Sequence, residues 1–356
     1  MRRAKYGWML RSVLISLLSL GLVACSQDKT NDDIIEESSV VTETTISIVL
    51  AQESIGEESV AEATVETTMN LETETELLSQ TGTEAEKETS VSSNASEVEP
   101  EAASVVVAQE LVSWNPEWQF AEFSSIHTDS AIMYYAENPN GYTICVNAGH
   151  GTEGGSSVKT LCHPDGTPKV TGGSTQQGAV KATAVAYGTT MSDDTPEYKA
   201  TLKVALAVKE KLLASGYHVL MIREGDDVQL DNIARTVFAN NMADCHVALH
   251  YDSTTNDKGA FYSSVPNVDS YRQMEPVASN WESHHRLGDA VIEGLRNNDV
   301  KIFSDGKLPI DLTQTSYSTV PSVVVEVGDR GSDRSVETME KLANGIKEGI
   351  DTFFGL

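Results

Sequence analysis

The sequence is short of cysteine and of positive charge. Its 356 residues hold 4 cysteines, and 25 Lys or Arg face 53 Asp or Glu, for a formal net charge of −28. So acidic a chain is poorly suited to neutralising a phosphate backbone, which argues against nucleic-acid binding. No C-x-x-C pair occurs, so a Cys/His zinc site remains an alternative without the usual spacing behind it. After Cys25 there remain Cys145, Cys162 and Cys245. An odd number leaves at least one unpaired. Cys145 and Cys245 fall in apolar, strand-like runs, where buried thiols are expected. Long apolar runs are also missing. Ser12 to Ala24 form one near the start, too short to span a bilayer comfortably.

What is present changes character along the chain. Residues 1–25, "MRRAKYGWMLRSVLISLLSLGLVAC", have a basic start (Arg2, Arg3, Lys5, Arg11) and a short apolar core. This is the pattern of an export signal. The ending "LVAC" resembles a lipobox, which makes Cys25 the expected lipidation site and the protein an expected membrane-anchored lipoprotein on the outer side of the cell membrane. The alternatives are a plain secretory signal or a single anchor. Residues 26–113 are rich in Glu, Thr, Ser, Val and Ala. Between Ser26 and Glu110, 21 acidic residues face only Lys29 and Lys87, a local balance of −19. No apolar period organises this stretch, so it predicts an extended, self-repelling tether. The net charge therefore says little about the folded part. Residues 114–140, with two tryptophans and a tyrosine pair, are expected to pack on the main domain as an adaptor.

From residue 141 onward strands and helices alternate. "YTICVNAG", "YHVLMIR", "DCHVALHYD" and "PSVVVEVGD" read as strands. Between and after them, "TPEYKATLKVALAVKEKLLASG", "DNIARTVFANNM", "SHHRLGDAVIEGLRNN" and "SVETMEKLANGIKEGIDTFFG" read as helices. Thr195 is the expected cap of the first helix and Pro196 its first residue. Ile233, Val237 and Phe238 are the inward positions of the second. Near-continuous apolar strands between amphipathic helices predict an α/β fold. Its expected form is a three-layer, largely parallel twisted sheet with helices on both faces. Sites in such folds gather beyond the carboxyl ends of the strands.

Three strand ends carry chemistry. The first ends on His150, between Gly149 and Gly151; the third on His250; the fourth on Glu326. Glu197 opens the first long helix. Two imidazoles and one carboxylate are a catalytic zinc set that leaves a position for water. A second carboxylate is then needed as general base. His150, Glu197 and His250 are thus candidate ligands of Zn2+, and Glu326 the candidate base. Glu197 also reads as a first-turn glutamate complementing the helix dipole; Glu153 or Asp194 would then substitute as ligand.

At these residues the chain resembles the zinc-dependent N-acetylmuramoyl-L-alanine amidases, over about residues 142–354. The family's D-P-G-H-G-G strand end is matched by "NAGHG", and its helix-opening glutamate by Glu197. T-R-x-x-D is matched by Arg223 and Asp226, and R-x-x-x-A-N by Arg235, Ala239 and Asn240. S-x-H-x-N is matched by "ALHYD", and the strand with the catalytic glutamate by "VVVEVGD". The resemblance implies that His150, Glu197 and His250 hold Zn2+, that Glu326 is the general base, and that residues 141–356 are the catalytic domain. It implies a peptidoglycan substrate, cut between muramic acid and L-alanine, and the protein is expected to act as a monomer. The rival readings are a zinc peptidase acting on stem peptides and a non-catalytic peptidoglycan-binding lipoprotein. Asn147 and Ala148 depart from the usual Asp-Pro, Asp252 from a common Asn, and "GDRGSD" from G-F-x-S-N. The long stretch 152–190 is expected to line or cover the cleft.

Other polar residues read as structural. His246 and His250 are about 13 Å apart if strand-borne, so they cannot share an ion. His284 and His285 are expected at solvent or in an edge contact, and His127, His163 and His218 have no evident partner. Arg223 and Arg235 are expected to make structural ion pairs or hydrogen bonds.

Overall fold

The computed structural model describes residues 108–356. The expected signal segment, the lipidation site Cys25 and most of the expected tether lie outside them. In chain order the strands are β1 (Ala108–Val112), β2 (Ala131–Tyr135), β3 (Thr143–Ala148), β4 (Lys159–Leu161), β5 (Lys181–Thr183), β6 (His218–Met221), β7 (Cys245–Asp252), β8 (Ala260–Ser264), β9 (Ile302–Pro309) and β10 (Ser322–Asp329). The helices are α1 (Glu197–Ala214), α2 (Asn232–Met242), α3 (Asp269–Arg272), α4 (Val277–Asn297), α5 (Thr313–Tyr317) and α6 (Val336–Phe354). Among the described residues no helix is long and apolar enough to cross a membrane.

Eight strands form one sheet in the order β1-β2-β6-β3-β7-β10-β8-β9. Its centre, β6-β3-β7-β10, is parallel, as the apolar runs predict. Antiparallel pairings flank that centre on both sides, β2 with β6 and β8 with β10. The sheet is therefore mixed. β1, the outermost strand on one side, falls inside the stretch expected to be tether, so residues 108–112 belong to the sheet rather than to a tether. The expected adaptor is part of the same body. It supplies β2, and Trp114 and Trp118 pack on Phe238 of α2 with ring centres 5.7 and 5.4 Å away.

Odd-numbered residues of β7 and β10 (Val247, Leu249, Val323, Val325) join a core with α1, α4 and α6. The even-numbered ones, including His250 and Glu326, therefore face the other way. On that other side α2 buries Ile233, Val237 and Phe238, the expected positions. Asp231 caps α2 by accepting from the Ala234 N–H. The same carboxylate accepts from the Ser125 and Ile126 N–H groups at 2.6 and 2.9 Å, tying the preceding segment to the helix. The cap of α1 differs from expectation. Pro196 is the N-cap, Glu197 is the first helical residue, and no side chain caps the turn. Thr195 is instead occupied in a loop, where its N–H donates to Asp193 Oδ1.

The stretch 152–190 builds the β4–β5 hairpin. Its tip reaches the α3–α5 region. There buried Asp311 meets Lys169 Nζ at 2.8 Å and accepts from the Val170 N–H. Val170 packs against Val265, Tyr271, Met274 and Val277. This anchoring ties the tip of the hairpin to the segment that leads into α5.

Candidate metal centre

β3 ends where it must turn sharply beside β7. The Gly149 N–H still donates to the Leu249 carbonyl at 2.9 Å, extending the strand pairing by one residue. His150 then takes a left-handed backbone (φ 61°), uncommon for a residue with a Cβ. Two buried arginines hold the turn. Arg223 donates to the carbonyls of Ala148 (3.1 Å) and Gly149 (2.9 Å). Arg235 donates to those of Ala148 (3.1 Å) and His150 (2.7 Å). Hydrogen bonds, rather than ion pairs, are thus the work of both. A glycine is required at position 149: a Cβ there would lie 2.5 Å from His250 Nε2 and 2.7 Å from its Nδ1.

The two imidazoles and Glu197 meet at this turn. His150 Nε2 is 2.9 Å from Glu197 Oε1 and 3.1 Å from His250 Nδ1, and His250 Nδ1 is 3.3 Å from Glu197 Oε1. His150 Nδ1 donates to the Ala186 carbonyl at 2.7 Å. A carbonyl only accepts, so the neutral ring has its Nε2 lone pair facing the centre. Burial pulls the Glu197 carboxyl upward, but the neighbouring His150 and His250 outweigh it and hold the group below the usual carboxylate range. Burial pushes His250 down, which favours a neutral ring. Three electron-rich atoms thus converge on one point. Metal–ligand bonds of about 2.0–2.1 Å in a tetrahedral site place ligand atoms about 3.3 Å apart. The observed triangle fits such an ion, and the donor chemistry suits zinc. Of the alternatives to Glu197, Glu153 and Asp194 are exposed and outside this group.

The surroundings brace the candidate ligands. Glu197 Oε2 accepts from the Thr189 N–H (2.8 Å) and Oε1 from the Tyr251 N–H (3.0 Å). Gly188 (φ 88°) lets the backbone pass over the pair; a Cβ there would lie 2.9 Å from the His150 ring and 3.0 Å from Glu197 Oε2. Ala186, Gly188 and Thr189 lie near the end of the stretch 152–190, so the end of that stretch supports the site through its backbone.

Glu326 stands beside the triad. Parallel pairing sets it opposite His250, and antiparallel pairing sets it opposite Phe261. Its Oε2 is enclosed and has no hydrogen-bond partner. Burial, then the charges of Glu197 and Asp252, push its carboxyl well above the ordinary range, with Lys258 opposing. Lys258 escaped notice in the sequence; the signal available was Asp252, a charge in place of a common asparagine.

The remaining histidines find structural roles. His246 is buried and bonds Asn147 at 3.2 Å, and Asn147 also accepts from Arg235, so this asparagine joins the clamp under the turn. His284 is enclosed rather than at solvent; its Nδ1 accepts from the Ser322 N–H at the start of β10. His285 accepts from the Val265 N–H and meets Trp281 edge-on. His163 lies by Asp311, His127 stacks on Trp114, and His218 accepts from the Ala136 N–H. Cys145, Cys162 and Cys245 are all buried free thiols.

With this geometry in hand, comparison decides the family. Residues 144–352, more than half of the chain, match the family model described as N-acetylmuramoyl-L-alanine amidase. The chain belongs to that family. Its activity is that of a cell-wall amidase, the hydrolysis of an amide in peptidoglycan. Among solved structures, the N-acetylmuramyl-L-alanine amidase Ami1 of Mycobacterium smegmatis is 19% identical, with a TM-score of 0.51 over 62% of this chain and 99% of that one. The apo form of Ami1 from Mycobacterium abscessus is 21% identical, with a TM-score of 0.47 over 60% and 99%. The first of these supports the fold. No curated protein sequence matches this amidase.

Proposed function

We propose that this amidase is a zinc enzyme that cleaves the bond between N-acetylmuramic acid and L-alanine, with Glu326 as general base and acid. The observation that carries the reading is the ligand triangle of His150, Glu197 and His250 beside a carboxylate whose Oε2 has no other partner. When bound, zinc supplies a Lewis acid that polarises the amide carbonyl and acidifies water. The protein's own groups do the rest. Glu326 Oε2 accepts a proton from the attacking water as its oxygen bonds to the lactyl carbonyl carbon. It then returns that proton to the alanine nitrogen as the C–N bond breaks, so the base is regenerated. Arg223 and Arg235 hold the His150 turn rigid, and Gly149 and Gly188 let both ligands approach.

The basic and apolar start, and Cys25 after "LVA", support export and a lipid anchor at the outer face of the cell membrane. The acidic stretch supports a tether between anchor and enzyme. Mass spectrometry of the mature N-terminus tests the anchor: a diacylated Cys25 is expected, and an unmodified later residue contradicts it. Digestion of purified peptidoglycan tests the chemistry. New L-alanine N-termini with intact lactyl-muramic acid are expected. Other new amines without them would identify a stem peptidase instead.

A further inference from the structure

One charged group beside Glu326 has no part in that reaction. Lys258 lies in the loop between β7 and β8. Its ammonium is 2.8 Å from Asp252 Oδ2 and sits 4.6 and 4.9 Å from the ring centres of Phe261 and Phe303. Phe261 is the cross-strand partner of Glu326. Asp252 is two residues beyond His250 on β7, hence on the same sheet face. Lys258 therefore stands over the face that carries both His250 and Glu326.

Its placement is fixed by the strand that carries the base. Asp329, fully buried three residues past Glu326, accepts from the N–H groups of Lys258 (3.1 Å), Asp257 (3.1 Å) and Gly331 (2.8 Å), and from Thr254 Oγ1 (2.9 Å). Gly259 (φ 103°) then turns the chain into β8; a Cβ there would lie 2.7 Å from the Lys301 carbonyl oxygen. The lysine side chain keeps 15% exposure, so its head is not sealed. An ammonium has three donors, and one ion-pair partner leaves capacity for another acceptor. An anionic substrate group approaching this face meets Lys258 as the cation held by it.

We propose that Lys258, caged by Phe261 and Phe303, recognises a carboxylate on the stem peptide near the scissile amide. The enzyme then prefers an acidic stem over the same stem as its carboxamide. The aromatic faces hold the ammonium partly out of water, where a charge-assisted hydrogen bond is stronger. This inference rests on the amidase reading.

The test uses two synthetic muramoyl peptides that differ in one group. In each, L-alanine is followed by a γ-linked glutamate, with its α-group a carboxylate in one and a carboxamide in the other. A charge-assisted hydrogen bond corresponds to about 10- to 100-fold in affinity. Wild type is expected to show a KM lower by about that factor for the acid, with similar kcat. Lys258→Met, which keeps an apolar stem over the rings, is expected to raise KM for the acid alone; Lys258→Arg is expected to keep the preference. Equal KM values in wild type overturn the proposal. So does a Lys258→Met variant that loses both substrates equally, which is the signature of a clamp on the site. Binding to Glu326→Gln protein, measured by calorimetry, separates this inference from the amidase reading. If wild type releases no L-alanine termini, the amidase reading fails. Tighter binding of the acid by Glu326→Gln, lost in the double variant with Lys258→Met, still supports Lys258, and equal binding overturns it.

Discussion

Replacing Gly149 with alanine tests the site where its geometry is tightest. The new Cβ would lie 2.5 Å from His250 Nε2 and 2.7 Å from Nδ1. Ordinary carbon contacts need about 3.5 Å or more, so the ring must retreat by about 1 Å. The ring carries a candidate ligand atom, and the triangle edges are 2.9, 3.1 and 3.3 Å. A shift of about 1 Å is large against a tolerance near 0.2 Å for metal–ligand distances. Backbone retreat is resisted by Arg223 on the Gly149 carbonyl and by the Gly149 N–H on Leu249. Overpacking of this kind costs about 1–3 kcal/mol of stability. Its effect on zinc is expected to exceed the 10- to 100-fold typical of disturbing a ligand's support, because a ligand itself moves. Competition against a graded chelator measures the affinity, and thermal unfolding of the metal-free protein measures the packing cost. If Gly149→Ala binds zinc as tightly as wild type, the convergence of His150 and His250 on a metal is refuted.

Further outcomes follow from the same contacts. Glu326→Gln should keep zinc while lowering kcat by about 10²- to 10⁴-fold; unchanged turnover on purified peptidoglycan would remove Glu326 as base. The Glu326 carboxyl is raised in the folded state, so the fold binds its proton more tightly than the unfolded chain does. In metal-free protein its ionisation therefore costs stability as pH rises above the unfolded value of about 4.3. Metal-free Glu326→Gln should melt higher than metal-free wild type at pH 7, with the gap closing as pH falls below about 4; an equal gap at both pH values contradicts the burial of that charge. Arg235→Leu leaves the buried His150 carbonyl without its arginine donor and the Ala148 carbonyl with Arg223 alone, and should destabilise by about 2–5 kcal/mol in urea unfolding; a loss under about 0.5 kcal/mol would show the clamp to be dispensable.

The centre of the fold was legible because its strands are buried on both faces. β3, β7 and β10 are short apolar runs, and α1, α2 and α6 have clear apolar stripes. The flanking strands lack that signal. β1 has one buried residue in five, and β9 mixes Ser, Asp, Gly and Lys with its apolar positions. Their pairing comes from the neighbours they complete. α5 has five residues, too few for a helical period. Likewise, the convergence of His150, Glu197 and His250 could be read from strand ends and a helix start, because those positions meet wherever parallel strands are adjacent. What braces them could not. The Ala186 carbonyl and the Thr189 N–H are backbone groups that almost any residue could present, and Lys258 reaches the site through a loop pinned by Asp329 and Ser332 from beyond β10's base. His284 misled for a related reason: the start of β10 needed an acceptor for the Ser322 N–H, a demand invisible along the helix.

The central claim is that His150, Glu197 and His250 hold zinc. X-ray absorption at the zinc edge of the purified protein tests it most directly. The account predicts about one zinc per chain with only nitrogen and oxygen neighbours at about 2.0–2.1 Å, two of them imidazoles, and loss of that signature in His250→Ala. A zinc shell containing sulfur, or an unchanged spectrum in His250→Ala, would contradict it.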